Sequence, residues 1–135
     1  MFKSRLDASQ QLVMAIQEDG ITNPIVLSLT PGGAVIGKAI ASLLDCCHQQ
    51  NLDEVSSQQT IVLVDDGQLE TDKILSLVKS LRQESPKQII VALPVCQLDQ
   101  ANNLKQEADR LIALCQPELL LDPTEFYQDF PPVSQ

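Results

Sequence analysis

The sequence predicts an α/β fold, a three-layer α/β/α sandwich around a parallel sheet of about four strands, within a single domain over residues 1–135. Three observations predict it. The strand candidates are continuous apolar runs rather than alternating ones, so both of their faces are buried, as in a parallel sheet. Helical periods alternate with these runs in the order α-β-α-β-α-β-α-β before a proline-rich tail, which favours right-handed crossovers. Hydrophobic residues make up 44% of the chain and aromatics only 3%, so the core is packed and aliphatic. A chain of 135 residues is long enough to bury such a core.

The elements follow in order. Residues 4–18 form an amphipathic helix with Ala8, Leu12, Ala15 and Ile16 on one face and Ser4, Asp7, Gln10 and Glu18 on the other. Gly20 ends it, and Asn23-Pro24 turns the chain. Pro24 to Leu29 is the first strand. Thr30-Pro31-Gly32-Gly33 is a turn whose glycines permit positive φ and close backbone approach to a ligand. Residues 34–47 make a helix that is apolar around much of its circumference, predicting deep burial. His48 to Gln59 is a polar linker without periodicity.

The stretch Thr60 to Ile74 organises the rest. Its apolar run, Ile61 to Val64, meets Asp65-Asp66-Gly67 and then a helical pattern of Ile74, Leu77, Val78 and Leu81. Two carboxylates at the carboxyl end of a buried strand, facing a helix start, form a common site geometry in α/β proteins. Ser85-Pro86 breaks the helix, Gln88 to Val95 is the third strand, residues 98–109 are helical, and Leu111 to Cys115 is the fourth strand. The tail from Pro117 is loop-like.

A formal net charge of −9 disfavours a nucleic-acid partner or an anionic membrane surface. No apolar run approaches the ~20 residues of a membrane span, and no secretory leader pattern opens the chain. Cys46, Cys47, Cys96 and Cys115 form no C-x-x-C pair, so reduced thiols and a cytoplasmic location are expected. Cys46-Cys47-His48 is read as structural, with no metal site, because consecutive helical residues diverge by ~100°. His48, the single histidine, has no nucleophile elbow to serve.

Four motifs in order carry a family resemblance. They are Phe2, Arg5 and Ala8 in an F-x-x-R-x-x-A spacing, LSLTPGGAV, VDDGQLETDK, and Glu107-Ala108-Asp109 with Tyr127-Gln128-Asp129-Phe130. Together they resemble the small bacterial predicted phosphoribosyltransferases of the type I family. That resemblance implies transfer of ribose 5-phosphate from phosphoribosyl diphosphate to a nitrogenous base, with magnesium. It implies that Asp65 and Asp66 hold the ribose hydroxyls, that Gly67, Glu70, Thr71, Asp72 and Lys73 face the 5-phosphate, and that Pro31, Gly32 and Gly33 approach the diphosphate. It assigns no catalytic residue.

The departures from the family pattern are specific. Glu70, Thr71 and Lys73 stand where the family has Thr, Gly and Thr. A carboxylate ~5 Å from a phosphate dianion, at an effective dielectric of ~40, costs roughly 3 kcal/mol, or about a hundredfold in affinity. Pro31 replaces an arginine suited to phosphate. The short linker replaces the strands of the hood and the mobile loop, leaving no lid to exclude water. The first strand is then expected at the sheet edge, where IVLSL invites a homodimer.

Plainer readings stand beside these. Asp65 and Asp66 equally suit a strand-end turn in which acids cap a helix, and Glu70 and Asp72 suit a helix N-terminus by ~0.3–1 kcal/mol each. Gly32-Gly33 suits a turn required by the fold. Tyr127 and Phe130 are expected to pin the tail to the core. Two functional readings follow: an active phosphoribosyltransferase-like enzyme, or a non-catalytic relative that senses nucleotides or binds protein.

Overall fold

The computed structural model describes residues 1–55 and 57–133. Among them are helices α1 (Arg5–Glu18), α2 (Pro31–Leu44), α3 (Thr71–Arg82) and α4 (Leu98–Glu107). The strands are β1 (Ile25–Leu27), β2 (Cys47–Gln49), β3 (Thr60–Val64), β4 (Gln88–Val95) and β5 (Arg110–Cys115). They form one wholly parallel sheet in the order β2-β1-β3-β4-β5.

Each face of the sheet carries its own apolar layer, because alternate residues of a buried strand point opposite ways. Leu27, Ile61, Leu63, Ile89, Val91 and Leu93 pack under Ile74, Val78 and Leu81 of α3 and Ala101 and Leu104 of α4. Val26, Val62, Val64, Ile90, Ala92 and Ile112 pack under Leu12, Val13 and Ile16 of α1 and Ile36, Ile40 and Ala41 of α2. The expected three layers are present, with aliphatic cores on both sides.

The linker reading is corrected by β2. Cys47, His48 and Gln49 pair in parallel with Ile25, Val26 and Leu27. Strand β1 is therefore interior, between β2 and β3, and the edge through which a homodimer was expected is covered. The strand escaped notice because it is three residues long and polar. His48 secures it from the side: its Nε2 lies 2.7 Å from the buried Ser28 hydroxyl, and Gly37 of α2 leaves room for the ring. Part of the linker, Ser56, lies outside the described residues.

Boundaries also shift. Strand β1 ends at Leu27, two residues before the expected end. Helix α2 starts at Pro31 and not at residue 34, because Thr30 caps it by accepting from the Gly33 amide and a proline suits the first turn. It stops at Leu44, with Asp45 left-handed at φ 54°, so Cys46 and Cys47 lie beyond it. Only one face of α2 is buried; Leu43 is exposed. The tail contains a short 3-10 turn, Pro123–Phe126. It then runs beside the start of the chain: Gln128 N–H donates to the Phe2 carbonyl and Asp129 N–H to that of Lys3.

Candidate functional site

The carboxyl ends of β1 and β3 meet, and two polar turns meet with them. At the end of β3, Asp65 and Asp66 are buried to 2% and 1% exposure. Asp65 closes the turn that leads into α3. Its Oδ2 accepts from the amides of Gly67 at 3.1 Å and Leu69 at 2.9 Å. Its Oδ1 accepts from the Thr30 hydroxyl at 2.6 Å. Thr30 thus joins the two turns, donating to Asp65 while capping α2. Burial first, and then the neighbouring Asp66 charge, push the Asp65 carboxyl up from 3.8 to about 6, against the pull of its three donors.

Asp66 is held from the opposite side. Its Oδ1 accepts from the Gln68 amide at 3.1 Å, and its Oδ2 from Arg5 Nε at 3.2 Å. Its backbone carbonyl accepts from the Tyr127 hydroxyl at 2.7 Å. Arg5 is itself buried to 5% exposure. Its Nη1 donates to the Pro131 carbonyl at 2.6 Å, and its guanidinium lies 3.6 Å from the centre of the Phe130 ring. Tyr127 packs between Phe2 and Phe130, so the tail is pinned to the core as expected. Burial and the Asp66 charge keep the Tyr127 phenol neutral far above its ordinary range.

The glycines are explained by this crowding and not by backbone conformation. A Cβ on Gly32 would fall on Asp66 Oδ2, and one on Gly33 would press on Asp65 Oδ1 and Thr30 Oγ1. Both sit in the first turn of α2 rather than in a free loop. Gly67 is different: at φ +105° it occupies a region that only glycine adopts readily.

A cavity of about 560 Å³ opens above these groups. Arg5, Thr30, Pro31, Gly32 and Asp66 line it together with Gln68 to Glu70 and Lys73 from the turn before α3 and Phe130, Pro132 and Val133 from the tail. The expected phosphate loop is divided by this geometry. Lys73 faces the cavity, and Glu70 lines both it and the depression next to it. Gly67 and Thr71 line that depression beside Val95 and Gln100, and the Thr71 hydroxyl donates to Gln100 Oε1 at 2.8 Å. Asp72 is exposed in the first turn of α3 and lines neither. Gly33 is buried beneath Asp65.

Sequence reasoning left Arg5 and Thr30 out of the site. The signal for Arg5 was its place in the Phe2-Arg5-Ala8 spacing, which buries all three residues. Thr30 was visible only as a turn residue. The donor set does not assemble a metal centre by itself: among the described residues no three His, Cys, Asp or Glu side chains cluster to hold an ion, and each carboxylate oxygen of Asp65 and Asp66 already accepts from the protein.

Solved structures of the same shape decide the fold. TT1426 from Thermus thermophilus superposes with a TM-score of 0.89 at 21% identity, over 98% of this chain and 93% of that one. An adenine phosphoribosyltransferase from Thermoanaerobacter pseudethanolicus superposes with a TM-score of 0.61 at 14% identity, over 80% of each chain. The fold is that of the phosphoribosyltransferases. A protein from Neisseria gonorrhoeae with bound ppGpp shares this phosphoribosyltransferase-like fold at a TM-score of 0.60 and 15% identity, over 70% of this chain and 72% of that one. In sequence, no family model and no curated protein matches the chain. No helix among the described residues is long and apolar enough to cross a membrane.

Proposed function

We propose that this chain is a phosphoribosyl- or nucleotide-binding module, descended from enzymes that transfer ribose 5-phosphate from phosphoribosyl diphosphate to a nitrogenous base, with that transfer impaired or lost. The observation that carries the reading is the state of the two acids. In a ribose-binding site, adjacent carboxylates at a strand end accept hydrogen bonds from a vicinal diol. Here Asp65 is committed to Thr30 and two amides, and Asp66 to Arg5 and one amide. Asp66 still borders the cavity, so it is the acid a diol would reach. Glu70 on the cavity wall sets a negative charge where a phosphate would sit, and Lys73 offsets part of it.

Magnesium, if an activity persists, would arrive with the phosphates of its ligand. A cytoplasmic compartment goes with the four free thiols. The ppGpp held by the Neisseria relative makes a guanosine polyphosphate a second probe for the same cavity.

Calorimetry with phosphoribosyl diphosphate and magnesium tests the reading. Micromolar binding to the natural protein, lost in Asp66→Asn, supports a retained ribose site. No heat with phosphoribosyl diphosphate or ppGpp at millimolar concentration sinks it. Replacing the acidic turn by Glu70→Thr, Thr71→Gly and Lys73→Thr is expected to strengthen phosphoribosyl diphosphate binding, by less than the roughly hundredfold of the Glu70 repulsion because the Lys73 charge is removed with it.

A further inference from the structure

We infer that residues 130–133 are a strap closing one side of the cavity, and that Arg5 is the catch that holds it down. The tail changes character at Asp129. Up to that residue it is stitched to the start of the chain by backbone hydrogen bonds, Phe2 N–H to the Phe126 carbonyl, Gln128 N–H to that of Phe2, and Asp129 N–H to that of Lys3. Beyond it, among the described residues, the only hydrogen bond to the tail is the one from Arg5 Nη1 to the Pro131 carbonyl. The Phe130 ring adds two contacts, one with the Arg5 guanidinium and one with Tyr127.

Composition fits the role. Pro131 and Pro132 have no N–H to satisfy and hold an extended, stiff backbone, so the segment loses little entropy when it docks. Val133 borders both the main cavity and a smaller one beside Lys38 and Val35, and Thr30 and Pro31 line both of these with it. Arg5 joins strap and acid in one side chain: Nε to Asp66, Nη1 to Pro131, and its face on Phe130. A ligand that draws the guanidinium or Asp66 into new bonds therefore loosens the strap. Opening depends on a few contacts, so it costs far less than unfolding the body.

That a ligand fills this cavity rests on the proposed function; that the strap covers it is tested without one. Pro31→Cys sets a thiol in the lining of both cavities that Val133 borders, at a helix N-terminus where a thiolate is favoured. Its reaction with a charged thiol reagent is followed by mass spectrometry of the peptide that carries it, in chains with and without residues 130–135. Removal of the strap is expected to speed labelling by about tenfold, and Phe130→Ala in the full chain by a smaller factor. Quenching of Tyr127, the single tyrosine in a chain without tryptophan, checks that the tail stays docked as far as Asp129.

Should the shortened chain fail to fold, Phe130→Ala decides. Labelling unchanged in every folded variant overturns the strap. Faster labelling with no calorimetric signal keeps the strap and discards the ligand reading. Heat of binding with unchanged labelling does the reverse.

Discussion

The two ends of the sheet contain the same ion pair in opposite settings. At the carboxyl end, the Arg5 and Asp66 side chains are 6% and 2% exposed, with their hydrogen bonds made inside the protein. On the far side, Arg82 and Asp109 meet at 2.8 Å with both side chains 40% exposed. Arg110 and Asp19 meet at 2.6 Å with 55% and 26% exposure. Distance alone ranks the exposed pairs first. Burial reverses the order, because water screens the exposed pairs and cannot replace a lost partner at the buried one. The difference marks which end of the sheet is built around charge and which end only carries it.

The contrast is broken most directly at Arg5. Arg5→Met leaves the Asp66 carboxylate buried with one amide donor, and a loss of about 3–5 kcal/mol in urea unfolding is expected. A loss below about 1 kcal/mol would put the pair on a level with the surface ones.

Asp65 sharpens the contrast through pH. Its carboxyl is raised from 3.8 to about 6, first by burial and then by Asp66. The folded protein therefore keeps a proton that the unfolded chain has released in that window. This contribution to stability is fully present below pH 3.8 and is lost as pH rises through about 6. Unfolding free energies measured across the window should show the natural protein losing about 3 kcal/mol relative to Asp65→Asn as pH rises. Parallel curves would mean that the acid is better solvated than its surroundings imply.

The smallest effect is expected at Arg82→Ala. Its side chain also donates to the Glu107 carbonyl at 2.9 Å, yet both partners reach water, so a loss within about 1 kcal/mol is expected. A larger loss would shift importance to the Asp109 turn, where the carboxylate also accepts from the Ile89 amide.

Much of this architecture was legible because the apolar runs declare themselves. The runs in β3 and β4 are continuous and rich in β-branched residues, and the β3 run stops where the two acids stand. Asp65 and Asp66 were visible for the same reason, being the first polar residues after such a run. What stayed hidden depends on contacts far apart in sequence. Strand β2 is polar, and pairing with β1 and the bond between His48 and Ser28, not an apolar run of its own, hold it in place. Arg5 stood in the sequence only as part of the Phe2-Arg5-Ala8 spacing, with nothing to tie it to Asp66 until the fold brought the two together, and Thr30 joined the site only once β1 and β3 lay side by side. The division of Glu70, Thr71, Asp72 and Lys73 between cavity, depression and solvent is set by the helical rotation at the start of α3, which spacing alone does not orient.

The pairing of Phe2 with Tyr127 gives the chain the topology of a ring closed by a noncovalent seam. The seam runs beside the cavity, so the site is completed by contacts among the most distant in sequence, such as that between Arg5 and Pro131, 126 residues apart. Such contacts carry the largest loop-closure cost and form only after the intervening chain is ordered. The central strands can therefore assemble before the cavity has its second wall, and the seam can part again without unravelling them.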